Sequence, residues 1–85
     1  MTRIIMYSTG SCPYCIMAEK LLHSKGVEEI KKIRVDLEPA RRTEMLDKTG
    51  RRTVPQIYIG ETHVGGYDDL AMLNRNDGLV KLLAV

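Results

Sequence analysis

Eighty-five residues, 44% of them hydrophobic, suit one domain and leave no room for a second, so a single domain over residues 1–85 is expected. The formal charge of +2 is small, and the charged 28% interleaves bases with acids in segments such as EEIKKIR and ARRTE, which read as solvated faces; disorder, collagen-like repeats and a nucleic-acid or membrane partner find no support. No stretch approaches the ~18 apolar residues of a membrane span, and the apolar run in MTRIIMYS is too short for a signal peptide, so a soluble, cytoplasmic protein is expected.

In chain order, RIIMY (residues 3–7) is a short β-branched run that ends at about Ser8, where STGSCP breaks the pattern. From Pro13 to about Lys25, Ile16, Met17, Leu21 and Leu22 recur at helical spacing, with Pro13 suited to a first turn and Gly26 to an exit. IKKIRVDL then puts Ile33, Val35 and Leu37 on one face by alternation, which predicts a second strand from about Glu29 to Asp36. Pro39 opens another helix, which runs through Met45 and Leu46 and stops near Gly50. PQIYIGETHVGG predicts a hairpin, with Ile57 and Ile59 on one face, a Gly60-Glu61 turn and a return strand around His63 and Val64. The final segments, YDDLAMLNRN and DGLVKLLAV, are helical in pattern and carry Leu70, Leu73, Leu79, Leu82 and Leu83, with Asp68 and Asp77 near their starts. The order β-α-β-α-β-β-α, with a right-handed crossover in the first unit, builds a small mixed sheet with helices packed on it.

Both cysteines of the chain stand in SCPYC, two residues apart. In a reducing compartment such a pair points to redox or metal chemistry rather than to a structural staple. A structural zinc ion needs four ligands and the pair supplies two. His23 lies eight residues past Cys15, about 12 Å along a helix, too far to share an ion, and His63 reads as a surface residue, so no metal site is expected. For redox chemistry the placement is apt. Cys12 stands at the mouth of a helix, where unpaired N–H groups and partial positive charge stabilise a thiolate and draw its pKa below the free value of ~8.5. Cys15, three positions on and inside the helix, is within reach of Cys12 and less exposed. Cys12 is therefore the expected nucleophile and Cys15 the resolving thiol.

CPYC after a short strand, TVPQIYIG in the middle and GGYDDL near the end resemble the dithiol glutaredoxins, and the similarity covers essentially the whole chain. The resemblance implies a thioredoxin-like α/β fold, a four-stranded mixed sheet flanked by helices. It implies reduction of protein disulfides and glutathione mixed disulfides, with no tightly bound cofactor and glutathione as the reducing co-substrate. Glutathionylated or disulfide-containing proteins, ribonucleotide reductase among them, are the implied partners, and nothing calls for more than a monomer. It further implies that Thr53, Val54 and Pro55 form a cis-proline loop whose Val54 backbone pairs with the cysteine of glutathione. Gly66 then allows a tight turn, and the free N–H groups at Tyr67, Asp68 and Asp69 bind the γ-Glu carboxylate. Asp68 or Asp69 either caps that helix or holds the γ-Glu amine, and both roles can coexist. Tyr14 offers an aromatic surface beside the sulfur, and Tyr67 either faces it across a groove or covers the core edge.

One position departs from the pattern. Many members carry Lys or Arg three residues before the first cysteine, where this chain has Thr9. Arg52 is placed to hold the glycine carboxylate instead, with Arg42 a second candidate and plain solvation the alternative for each. Two other functions fit the same cysteines: an electron donor served by thioredoxin reductase, and an iron-sulfur carrier with Cys12 of two chains and two glutathiones around a cluster. GGYDD argues against the first, and Pro13 with a second active-site thiol against the second.

Overall fold

The computed structural model describes residues 3–84. Met1, Thr2 and Val85, the last of which ends the expected final helix, lie outside the described residues. The elements are β1 (Ile4–Ser8), α1 (Pro13–Ser24), β2 (Lys31–Arg34), α2 (Pro39–Thr49), β3 (Gln56–Ile59), β4 (Thr62–Gly65), α3 (Tyr67–Arg75) and α4 (Gly78–Leu83). One four-stranded sheet runs in the order β2-β1-β3-β4. β1 is parallel to β2 and antiparallel to β3, and β3 is antiparallel to β4, the mixed sheet that the resemblance implies.

Alternation along the strands sends side chains to two layers. Ile4, Met6, Ile57 and Ile59 meet Ala18 and Leu22 of α1, Leu70 of α3 and Leu79 of α4 on one face. Tyr7, Ile33 and Val35 meet Met45 of α2 on the other. Val54, in the loop before β3, packs against both clusters. The Tyr7 hydroxyl donates to Glu44 at 2.5 Å, and burial first, then this bond, push its pKa above the usual range.

Two expectations need correction. The second strand covers Lys31–Arg34 rather than Glu29 to Asp36. The Val35 amide still bonds to the Ser8 carbonyl, but those of Leu37 and Glu38 turn back onto Arg34, so the chain leaves the sheet. Leu37 is consequently 67% exposed and does not share the buried face of Ile33 and Val35. Asp77 stands at the start of α4, as expected, with φ 64° and no side-chain capping bond.

Helix ends follow the sequence signals. Pro13 and Pro39 occupy first turns, where a missing N–H is harmless. Gly50 ends α2 in the left-handed conformation at φ 71°, and its N–H bonds to the Leu46 carbonyl. A Cβ at Gly50 would meet no atom within 4 Å, so substitution there strains only the backbone. Gly50→Ala is expected to cost about 1 kcal/mol, lowering Tm by about 4–8 °C in a domain of this size. A thermal melt with an unchanged midpoint would contradict this account of the helix end.

Candidate active site

Cys12 is the N-cap of α1, with extended backbone (φ −124°, ψ 97°). Its sulfur accepts the Cys15 N–H at 3.2 Å, and its carbonyl accepts from Cys15 and Ile16 at 3.1 and 3.2 Å. A cysteine sulfur thus takes the capping position usually filled by a Ser, Thr, Asp or Asn oxygen. The two cysteines are joined as a disulfide, with Cα atoms 5.2 Å apart, and both are buried.

Facing Cys12 across the mouth of the helix is the loop before β3. The Val54–Pro55 peptide is cis, as the resemblance implied, and the Val54 carbonyl oxygen lies 3.8 Å from the Cys12 sulfur. The turn into α3 comes next. Gly65 has φ 114°, and Gly66 lies so close to the loop that a Cβ there would stand 3.4 Å from the Pro55 carbonyl. Gly66 is also the N-cap of α3, and its N–H donates to the Asp69 carboxylate at 2.9 Å. Of the two aspartates, Asp69 therefore performs the capping, by reaching back from the third helical position. Arg51 donates to the same carboxylate at 2.7 Å.

These elements enclose one cleft of about 360 Å³, lined by Tyr14, Thr53, Val54, Pro55, Gly66, Tyr67, Asp68 and Asp69 with Arg51. The Tyr14 and Tyr67 rings lie 6.1 Å apart. Every residue singled out from the sequence as a glutathione contact is on this cleft except Arg52 and the second arginine candidate, Arg42. Arg52 flanks a separate depression of about 400 Å³ with Arg42, Thr43 and Leu46. Arg51, for which no role was expected, is the arginine on the cleft; adjacent arginines in RRTVP give no cue to which one turns toward α3. A further cleft, about 290 Å³, touches both cysteines from the other side and is lined by Thr9, Glu19, Lys32 and Arg34 among others.

His63 is not the surface residue expected. It is partly buried, its Nε2 lies 2.8 Å from Oε1 of the buried Gln56, and burial first, then Arg51, lower its pKa. A histidine at an inward position of a short edge strand carries no composition signal that separates it from an exposed one. Among the described residues, no group of three or more His, Cys, Asp or Glu side chains is placed to hold a metal ion.

The Glutaredoxin family profile matches residues 4–64. A glutaredoxin of Neisseria meningitidis is 52% identical over 83 residues, 98% of both chains. Glutaredoxin 3 of Escherichia coli is 45% identical over 83 residues, 98% of this chain and 99% of the relative. Among solved structures, a buckwheat glutaredoxin–glutathione complex superposes with a TM-score of 0.89 at 32% identity, covering 98% of this chain and 77% of the other. The fold is thus thioredoxin-like, as expected.

The Arg51–Asp69 pair sets a pH dependence. The Arg51 bond, and after it the Gly66 amide, hold the Asp69 carboxyl below the usual range. A depressed folded pKa means that the stabilisation is present above the unfolded value of about 3.9 and is lost as pH falls through the folded one. Wild type is therefore expected to exceed Asp69→Asn in urea midpoint near neutrality, with the gap narrowing as the pH falls below the unfolded carboxyl value of about 3.9. A gap that stays constant through acid titration would show that the Asp69 charge plays no part.

Proposed function

This chain belongs to the glutaredoxin family and is a thiol-disulfide oxidoreductase, and from that premise we propose that glutathione is its reductant and that its substrates are glutathione mixed disulfides and protein disulfides. The observation that carries the reading is the cleft beside Cys12. A γ-Glu-Cys-Gly peptide needs an extended backbone edge next to the reactive sulfur and donors for a carboxylate; Val54 offers the first and the start of α3 the second. That the neighbouring buckwheat structure is a glutathione complex supports the same reading.

In the monothiol route the Cys12 thiolate attacks the glutathione sulfur of a mixed disulfide. A Cys12–glutathione bond forms and the substrate leaves as a thiolate. A second glutathione thiolate attacks that bond, releasing oxidised glutathione and regenerating the Cys12 thiolate. In the dithiol route Cys12 attacks a protein disulfide and Cys15, as a thiolate, displaces the protein's sulfur from Cys12. The Cys12–Cys15 disulfide results, and two glutathiones reduce it. Cys12 is suited to leave and to attack because the first turn of α1 favours its charged form. Tyr14 and Tyr67 wall the peptide in, and the Tyr67–Asp69 amides receive its γ-Glu carboxylate. Either Asp68 or Asp69 holds the amine. For the glycine carboxylate we assign Arg52 with Arg42, which have no carboxylate partner among the described residues, whereas Arg51 is engaged by Asp69.

Turnover of a glutathionylated peptide, coupled to glutathione reductase and NADPH, tests the reading. Wild type and Cys15→Ser are expected to turn over and Cys12→Ser to be dead; an inactive wild type would overturn glutathione as the reductant and make thioredoxin reductase the partner to assay. In the same assay Arg52→Ala is expected to raise the KM for glutathione about five- to tenfold, more than Arg51→Ala does. Equal values for the two variants would sink the Arg52 assignment.

A further inference from the structure

Gln56 is a polar side chain with no exposed surface, set directly after the cleft's proline. Buried amides of this kind are kept only where both ends are bonded. Its Nε2 donates to the Thr53 carbonyl at 3.0 Å and lies 3.3 Å from the Thr53 hydroxyl. Its Oε1 faces His63 Nε2 at 2.8 Å. Since the amide nitrogen is committed to Thr53, Oε1 is an acceptor, and the His63 ring must carry its hydrogen on Nε2. The ring is steadied by Tyr58, whose centroid is 5.1 Å away at an interplanar angle of 30°. A chain of donors therefore runs from His63 on β4, through Gln56 on β3, to the carbonyl of Thr53.

That carbonyl belongs to the same peptide unit as the Val54 N–H. The unit is trans, Val54–Pro55 being the cis bond of the chain's described residues, so the oxygen and the N–H point in opposite directions. Fixing the oxygen on Gln56 fixes the direction of the N–H, away from the buried amide and on the loop that lines the cleft. We propose that His63, acting through Gln56, is a positioning residue for the Val54 backbone edge on which the substrate peptide pairs. The proposal rests on the glutathione reading above. Removing the His63 donor leaves Gln56 Oε1 buried without a partner, and the amide can regain one only by turning away from Thr53 or by admitting water.

His63→Phe keeps a ring against Tyr58 and removes the donor; His63→Gln returns an amide nitrogen at similar reach. With the full chain and a glutathionylated peptide, His63→Phe is expected to raise the KM for glutathione about three- to tenfold. Its kcat and the rate of Cys12 alkylation by iodoacetamide should hold within about twofold, and His63→Gln should restore KM. The Val54 amide should lose backbone order in His63→Phe, read as a lowered NMR order parameter that needs no glutathione. Wild-type KM together with a wild-type Val54 order parameter would overturn the proposal, as would a KM defect that His63→Gln fails to repair. If His63→Phe does not fold, Gln56→Met removes the same link and is held to the same KM and order-parameter outcomes. A wild type that glutathione cannot reduce would remove the reading beneath the proposal, and is told apart from failure of the link itself because the Val54 order parameter still answers to His63→Phe.

Discussion

Cys12 caps α1, and its sulfur and its carbonyl share the Cys15 N–H of the first helical turn. The rest of the centre depends on that contact. It places one sulfur at the positive end of a helix and the second one turn inside, so two chemically identical side chains acquire different environments from position alone. The sheet puts the contact where a substrate can reach it. Parallel pairing of β1 with β2 requires a crossover helix, and α1 therefore begins just beyond the carboxyl end of β1, the edge at which open α/β sheets bind their ligands. A loop pinned from β2 supports the approach: the Gly10 N–H donates to Asp36 at 3.1 Å, and Arg34 holds the same carboxylate.

The facing wall comes from the second half of the chain. Val54 packs into the cores on both sides of the sheet while its carbonyl stands beside the Cys12 sulfur, so the edge next to that sulfur is anchored by hydrophobic burial. Gly66 lets α3 start close against that loop, and Asp69 ties the junction to Arg51. Two helix N-termini, those of α1 and α3, thereby border one cleft without a lysine or arginine at Thr9. The field that favours anions there is built largely from backbone, since Arg51 on the cleft is already engaged by Asp69 and Arg52 stands at a separate depression.

Most of the architecture was legible because it follows from short-range rules. Period-two and period-3.6 patterns, Pro13, Pro39 and Gly50 located every described element but β2 closely, and the CPYC, TVPQ and GGYDD blocks brought together the residues of the cleft. What escaped depends on three-dimensional neighbours. Alternation in IKKIRVDL cannot tell that Arg34 and Asp36 pair and turn the chain out of the sheet, which leaves Leu37 in solvent. Two adjacent arginines share every sequence property, yet one meets α3 and the other α2. His63 reads as a surface residue until the hairpin brings its ring onto the buried Gln56 amide.

If the start of α1 favours the Cys12 thiolate, titration of thiolate absorbance in the reduced protein shows it, with Cys15→Ser as the sample and Cys12→Ser as the reference. A midpoint below the free-cysteine value of ~8.5 is expected in Cys15→Ser and is expected to be missing from Cys12→Ser. A midpoint at or above that value, or one that survives loss of Cys12, would contradict it.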